Sequence, residues 1–241
     1  MALYTIADLH LPGGTGDAKK MDVFDPVWTD AQNKLEKNWR ALVTDGDAVV
    51  LPGDFSWALK LEDTIDDFRF LDALPGQKYI GKGNHDFWWT TAKTMNGFFA
   101  QNGFSSLHLL YNNSYELPEA VIVGARGWFP DPANQKAENE ADWQKVSARE
   151  EIRLDISLRS VPADVPPEKE RILFMHFPPV WNGLVLRGIL DKMHASGIRR
   201  CYFGHIHGYY LPDADFDFEG IRFEMVSADH LHFIPKRVFF A

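Results

Sequence analysis

The chain has 241 residues, 45% of them hydrophobic and 24% charged, with 25 Lys and Arg against 34 Asp and Glu for a formal charge of −9. This composition excludes a disordered chain, a collagen-like repeat and a simple coiled coil, and without a Lys/Arg run there is no electrostatic grip for long nucleic acid or an anionic membrane surface. The one cysteine, Cys201, excludes an internal disulfide framework and a zinc site of the Cys-cluster kind.

In chain order, the first residues hold neither a basic region nor an apolar core of signal-peptide type. No stretch reaches the roughly 18 apolar residues of a membrane span, so a cytoplasmic protein is the default expectation. A strand is predicted at 3–7. Behind Pro26, the residues Trp28, Ala31, Leu35, Trp39 and Leu42 share one face at a 3.6 period and predict a helix. Strand 48–51 follows, then a helical stripe of Leu61, Ile65, Phe68 and Leu71, then strands at 78–81, 106–110 and 120–123. The segment 129–141 is polar and acidic, holds Pro130 and Pro132, and reads as a loop or insertion before a helix at about 142–159. Residues 129–160 are therefore a candidate lid or insertion within one domain spanning 1–241. A proline-rich connector at 161–170 leads to strand 172–175. Leu186, Ile189, Leu190 and Met193 form another helical stripe, closed by Gly197. Strands at 201–203, 221–226 and 232–239 complete the chain. Several strands are continuous apolar runs, as expected when both faces are buried. Their alternation with helices indicates a layered α/β fold with mixed sheets.

Polar clusters recur at the C-terminal ends of predicted strands. They are Asp8-Leu9-His10, Gly53-Asp54, Gly83-Asn84-His85-Asp86, the lone His176 and Gly204-His205-Ile206-His207. Ligands of α/β sheets bind outside these strand ends. Asp, His and Asn side chains offer oxygen and imidazole donors without thiolate, a set suited to Mn²⁺, Fe or Zn²⁺. There are more donors than one ion uses, so two ions sharing a carboxylate are expected, an arrangement suited to in-line attack at phosphorus.

These five blocks, in order and spanning residues 8 to 207, resemble the D-x-H, GD, GNH[DE], H and GHxH pattern of the calcineurin-like metallophosphoesterases. The resemblance implies a four-layer α/β/β/α sandwich of two mixed sheets with a dimetal centre at one edge. It implies that Asp8, His10 and His207 bind one metal and that Asn84, His176 and His205 bind the other, with Asp54 bridging both. The implied reaction is attack by a metal-bridging hydroxide on a phosphodiester or phosphomonoester of a small molecule, of nucleotide type by preference. His85 would serve as general acid, with Asp86 holding its imidazole. The expected cofactors are two divalent ions, Mn²⁺ first, with Fe or Zn²⁺ also compatible.

Two rival readings stand beside this one. A Ser/Thr protein phosphatase would continue its second block as GDxxDRG, whereas Gly53-Asp54 here runs on as Phe55-Ser56-Trp57-Ala58-Leu59-Lys60. The stretches 53–59 and 81–89 look most like a group of small bacterial predicted phosphohydrolases. A catalytically silent, metal-bound binding protein is the other rival, and the intact ligand positions and His85 argue against it. Trp57, Phe87, Trp88 and Trp89 follow the motifs directly and either wall a substrate pocket or pack the core. Arg126, after strand 120–123, either clamps a phosphate or sits in a surface ion pair. His108, His194, His230 and His232 lack partner spacing and read as surface or loop residues, and Cys201 reads as a buried small hydrophobe.

Overall fold

The computed structural model describes residues 1–14, 21–23, 25–134 and 140–240. In chain order its elements begin with β1 (Leu3–Thr5), α1 (Ala31–Leu42), β2 (Ala48–Leu51), α2 (Ile65–Asp72), β3 (Gln77–Ile80) and α3 (Ala92–Asn102). They continue with β4 (Leu107–Leu109), β5 (Asn113–Glu116), β6 (Ala120–Ala125), α4 (Glu140–Arg159), β7 (Glu170–Met175), β8 (Val180–Trp181) and β9 (Leu184–Val185). The last are α5 (Arg187–Ala195), β10 (Arg200–Phe203), β11 (Phe216–Phe218), β12 (Ile221–Met225) and β13 (Lys236–Val238).

Two mixed sheets carry the fold. The first runs β13-β1-β2-β3-β4, with four parallel strands and β13 antiparallel at its edge. The second runs β11-β12-β10-β7-β6-β5, parallel inside and closed at each edge by an antiparallel strand. Strand residues alternate between two apolar layers. Ala48 and Val50 of β2 join Ile122, Ile172, Phe174 and Tyr202 in a core between the sheets. Val49 and Leu51 instead face Leu35 and Trp39 of α1, Phe68 and Leu71 of α2, and Met95 and Phe99 of α3. On the far side, Val121, Val123, Leu173 and Met175 pack with Leu154 of α4 and with Ile189, Leu190 and Met193 of α5. The result is the expected four-layer α/β/β/α sandwich. Each buried Val, Leu, Ile or Phe contributes about 1.5–3 kcal/mol, and burial on both faces explains why the inner strands read as unbroken apolar runs.

Several local expectations change. The first helix starts at Ala31; Trp28 sits in a preceding 3₁₀ turn capped by the Asp25 side chain, and Leu42 is exposed. The predicted strand 232–239 pairs only over β13, because 227–233 turns back on itself with His232 and Phe233 at φ of 50° and 60°. Helix α3 and the edge strands β5 and β11 have no counterpart in the sequence reading. Of the segment 129–160, residues 140–159 form α4, which packs on β5, β6 and α5. Its Ser157 hydroxyl donates to the Gly124 carbonyl over 2.5 Å. Residues 135–139 lie outside the described residues. No helix among the described residues is long and apolar enough to cross a membrane.

Candidate metal centre

The five polar blocks leave β1, β2, β3, β7 and β10 at the same edge of the sandwich. The loops after β1 and β2 run side by side: Asp8, His10 and Leu11 donate backbone hydrogen bonds to Gly53, Asp54 and Phe55 over 3.0, 3.1 and 3.0 Å. A parallel bridge between Ala7 and Ser227 ties the end of β1 to the end of β12, so the two sheets meet beneath the site. The backbone is strained where it delivers these side chains. Asp8, His10, Asp54 and His205 have φ of 59°, 46°, 52° and 73°. Left-handed backbone at a residue other than glycine costs of order 1–3 kcal/mol and persists where the surroundings over-determine it. Two glycines make room. A Cβ on Gly83 would fall on the Asp54 carboxylate, and one on Gly204 on the Asp8 carboxylate.

The predicted ligands converge. Asp8, His10 and His207 form one group, and Asp8, Asp54 and His176 another, each with donor atoms within 4.8 Å of one another. His10 Nε2 and His207 Nε2 face each other at 3.1 Å. The Asn84 side-chain oxygen lies 2.7 Å from His176 Nε2 and 2.9 Å from His205 Nδ1, gathering the other three. The Asp54 Oδ2 stands between the groups, 3.8 Å from His10 Nε2 and 3.5 Å from His176 Nε2. The backbone N–H of His85 donates to the other oxygen of Asp54 over 2.8 Å, and that of His205 to Asp8 over 2.9 Å.

The electrostatics fit a cation. Burial pushes Asp8 up to about 7, and burial with the neighbouring Asp86 and Asp8 carboxylates drives Asp54 well above its ordinary value. Burial, then the other imidazoles, holds His10 and His176 well below the usual range and His205 down to about 3. These three imidazoles are therefore neutral lone-pair donors; His207 is instead raised, its burial outweighed by the hydrogen bond to Asp229 and by the Asp8 and Asp229 charges, yet for Asp8 and Asp54 burial still prevails. The buried Nδ1 atoms of His10 and His176 also have no hydrogen-bond partner, an arrangement costly in a closed interior. Divalent ions supply the positive charge that the buried carboxylates need, and the N/O donor set suits Mn²⁺, Fe or Zn²⁺.

The remaining predicted residues divide. The His85 ring lies at the mouth, its centroid 4.6 Å from that of Trp57 and 5.7 Å from that of His10. Trp57 stacks on His10 at 4.7 Å and 25°, and so walls the site. Trp88 does not: it is 1% exposed and packs against Phe55 and Phe68 in the core. Asp86 is a second correction. Its oxygens accept from the backbone N–H groups of Asp54, Phe55, Ser56 and Gly83 and from the Trp88 indole. Five donors use up a carboxylate's roughly four lone-pair sites, so Asp86 ties the two ligand loops together instead of holding the His85 ring. Arg126 forms an ion pair at 2.8 Å, and it is not a surface pair, because its partner Glu150 is fully buried.

Sequence reasoning missed Asp229, whose Oδ1 lies 3.0 Å from His207 Nδ1 while its Oδ2 accepts from the Gly208 N–H. A carboxylate behind a ligating imidazole fixes its tautomer. The one signal was its position, four residues beyond the end of β12 at the same edge. Glu150 was missed because nothing marks one acid within a charged helix.

A four-layer sandwich with Asp, His and Asn gathered at one edge defines a class of metal-dependent phosphoesterases, and the comparisons agree. The calcineurin-like phosphoesterase family matches residues 1–209, and the chain belongs to it. Among solved structures, the fold is similar to the phosphopantetheinyl hydrolase PptH of Mycobacterium tuberculosis, with a TM-score of 0.60, 15% identity, and 99% of this chain and 95% of that one covered. It is also similar to the protein TT1561 of Thermus thermophilus, with a TM-score of 0.55, 13% identity, and coverages of 95% and 89%. No curated protein matches the chain.

Proposed function

We propose that the protein hydrolyses a phosphodiester or phosphomonoester of a small molecule, of nucleotide type by preference, at a pair of divalent ions, Mn²⁺ first. Asp8, His10 and His207 would hold one ion, Asn84, His176 and His205 the other, with Asp54 shared. When bound, such ions activate water near neutral pH and polarise the phosphoryl oxygens. The chain supplies the rest. Asp54 is kept in place by the His85 backbone N–H, and Asp229 orients the His207 ring. The His85 imidazole, at the open side of the cluster, donates a proton to the departing oxygen. Trp57 presents a flat ring beside it for a base or aromatic leaving group.

The observation that carries this reading is the position of Asp54 Oδ2, within 3.8 Å of an imidazole nitrogen of each group. Hydrolysis of bis-p-nitrophenyl phosphate and p-nitrophenyl phosphate by metal-stripped protein, with and without added Mn²⁺, tests it. Mn²⁺-dependent turnover is expected, and the ratio of the two rates separates diesterase from monoesterase. Bound Mn²⁺ with neither ester hydrolysed would leave a metal-binding protein without this activity.

A further inference from the structure

The end of the sandwich opposite the metal centre holds a second concave surface. A cleft of about 620 Å³ opens there, within the size range of small-molecule sites. It lies where β7 and β10 begin, whereas His176 and His205 leave the other ends of the same two strands. The extended chain from Arg171, in the cleft, to His176 puts roughly 17 Å between the two places.

Two arginines of the cleft are set against each other. Arg171 and Arg199 each precede one member of a register pair, Ile172 and Arg200, on the adjacent parallel strands β7 and β10. They are therefore cross-strand neighbours, and like charges placed opposite one another destabilise a sheet. The nearby acids are committed elsewhere. Glu170 accepts from Arg200 Nε and Nη2 over 2.6 and 2.5 Å, and Glu116 accepts from Lys169 over 2.7 Å. Among the described residues, neither Arg171 nor Arg199 has a carboxylate within ion-pair reach. Arg171 donates once, to the Ser196 carbonyl at the end of α5 over 3.5 Å, and Arg199 is exposed. A helix C-terminus favours a nearby cation, but this one long contact leaves most of both guanidinium forks open.

Opposite charge stands in the same cleft without meeting them. Glu119 and Glu168 are exposed on its wall and, among the described residues, have no cation within ion-pair reach. The half-buried Phe240 adds a flat apolar face. Open guanidinium forks take a phosphate bidentately. Free carboxylates accept from hydroxyls, and an aromatic ring stacks on a base. We infer that this cleft is a second ligand site, remote from the metal centre, that takes a nucleoside monophosphate. The phosphate sits on Arg171 and Arg199, the ribose hydroxyls face Glu119 and Glu168, and the base lies against Phe240. Nothing in this assignment depends on the hydrolytic reading of the metal centre.

Calorimetry with the 5′-methylenephosphonate analogue of AMP, whose C–P bond resists hydrolysis, tests it on Mn²⁺-loaded protein before and after addition of EDTA. Binding that needs Mn²⁺ belongs to the metal centre, and binding that survives EDTA belongs to the cleft. The wild type is expected to keep one EDTA-resistant site. Arg199→Glu and Arg171→Gln should each weaken it at least tenfold, and Arg199→Lys should weaken it less than Arg199→Glu. Both arginines reach the surface, and an unchanged melting temperature verifies that each variant folds. Absence of the EDTA-resistant site, or equal affinity in wild type and Arg199→Glu, overturns the inference, whether or not any ester is hydrolysed. The analogue should also bind at least tenfold more tightly than inorganic phosphate, and equal affinity of the two overturns the nucleoside assignment.

Discussion

His85 and Asp54 are joined by one hydrogen bond, from the His85 backbone N–H to the Asp54 carboxylate, but their side chains face different tasks. The His85 ring stands at the mouth beside Trp57, whereas the His176 and His205 rings turn inward to the Asn84 oxygen. Its removal should therefore act on the leaving group. In His85→Ala, esters with poorly acidic alkyl leaving groups should slow by about 100-fold or more, the range of general acid catalysis. p-Nitrophenyl esters, whose leaving group needs no proton, should slow by about tenfold or less. A series of esters graded by leaving-group acidity measures this, and equal losses across the series would remove His85 from the acid role. Asp54 stands between the two donor groups, so Asp54→Asn should weaken both ions by more than about 100-fold, beyond what loss of an outer partner costs. Metal content after dialysis reads this directly, and two ions retained per chain would count against a shared ligand.

The residues legible at this scale are those packed into short blocks at strand ends. Asp8, His10, Asp54, Asn84, His176, His205 and His207 all converge at one edge. Asp229 and Glu150 were not legible because their partners, His207 and Arg126, lie 22 and 24 residues away and no local spacing connects them. Asp86 was misplaced for a related reason. Its motif names a chemical type, but only the folded loops show how many backbone donors reach it.

At the scale of elements, α2 is tied to the loops behind the metal centre by Asp67. This buried carboxylate accepts from the Ser56 hydroxyl over 2.5 Å and from the Gly13 N–H over 2.8 Å. Burial outweighs these hydrogen bonds and pushes it up to about 6, from 3.8. The folded state thus holds this proton more tightly than the unfolded chain does. The associated stability is fully present below about pH 3.8 and is lost as the pH rises through about 6. Relative to Asp67→Asn, the wild type should lose on the order of 2–3 kcal/mol of stability between about pH 4 and about pH 7. Urea unfolding of both proteins at the two pH values checks this, and a constant difference between them would show that Asp67 does not titrate in this way.

Elements differ in legibility according to burial. β2, β6, β7 and β10 are enclosed on both faces, which forces continuous apolar sequence. The edge strands β5 and β11 are largely half-exposed and carry Asn, Ser, Glu and Asp, so neither period nor hydrophobicity marks them. Helix α3 buries only Met95 and Phe99 and has Gly97 at its middle, which leaves a faint stripe. Its caps are well formed, with Thr91 accepting from the Thr94 N–H and Gly103 at φ 73°, but caps without a stripe do not announce a helix.

Across the whole molecule, the metal centre is where the two sheets are joined. Asp8, Asp54 and Asn84 come from the first sheet, and His176, His205 and His207 from the second. An ion held between them binds the native state and not the unfolded chain, which adds stability as RT ln(1 + [L]/Kd). Chelation should therefore lower the melting temperature by several degrees, as expected for a loss of about 2–3 kcal/mol at this size. Added Mn²⁺ should restore it in wild type but not in Asp54→Asn. An unchanged melting temperature on chelation, with metal removal verified by elemental analysis, would show that the ions do not tie the sheets.

Sequence alone determined the layered α/β class, the mixed sheets and the seven positions that gather at the sheet edge, because these follow from local facts. Both-face burial writes itself as apolar runs, and strand ends bring short polar blocks to one edge whatever the detailed packing. The tertiary structure decided the rest. It sent Trp88 to the core and Trp57 to the site, although both follow ligand motifs at similar distance, because the loop after β2 lies against His10 while Trp88 turns under Phe68. It also turned Arg126 from an isolated strand-end cation into one member of a buried cluster, since α4 carries Glu150 and Arg153 back across β6. Contacts of this kind depend on chain segments far apart in sequence, and their energies come from desolvation and geometry that exist only once the sheets have packed.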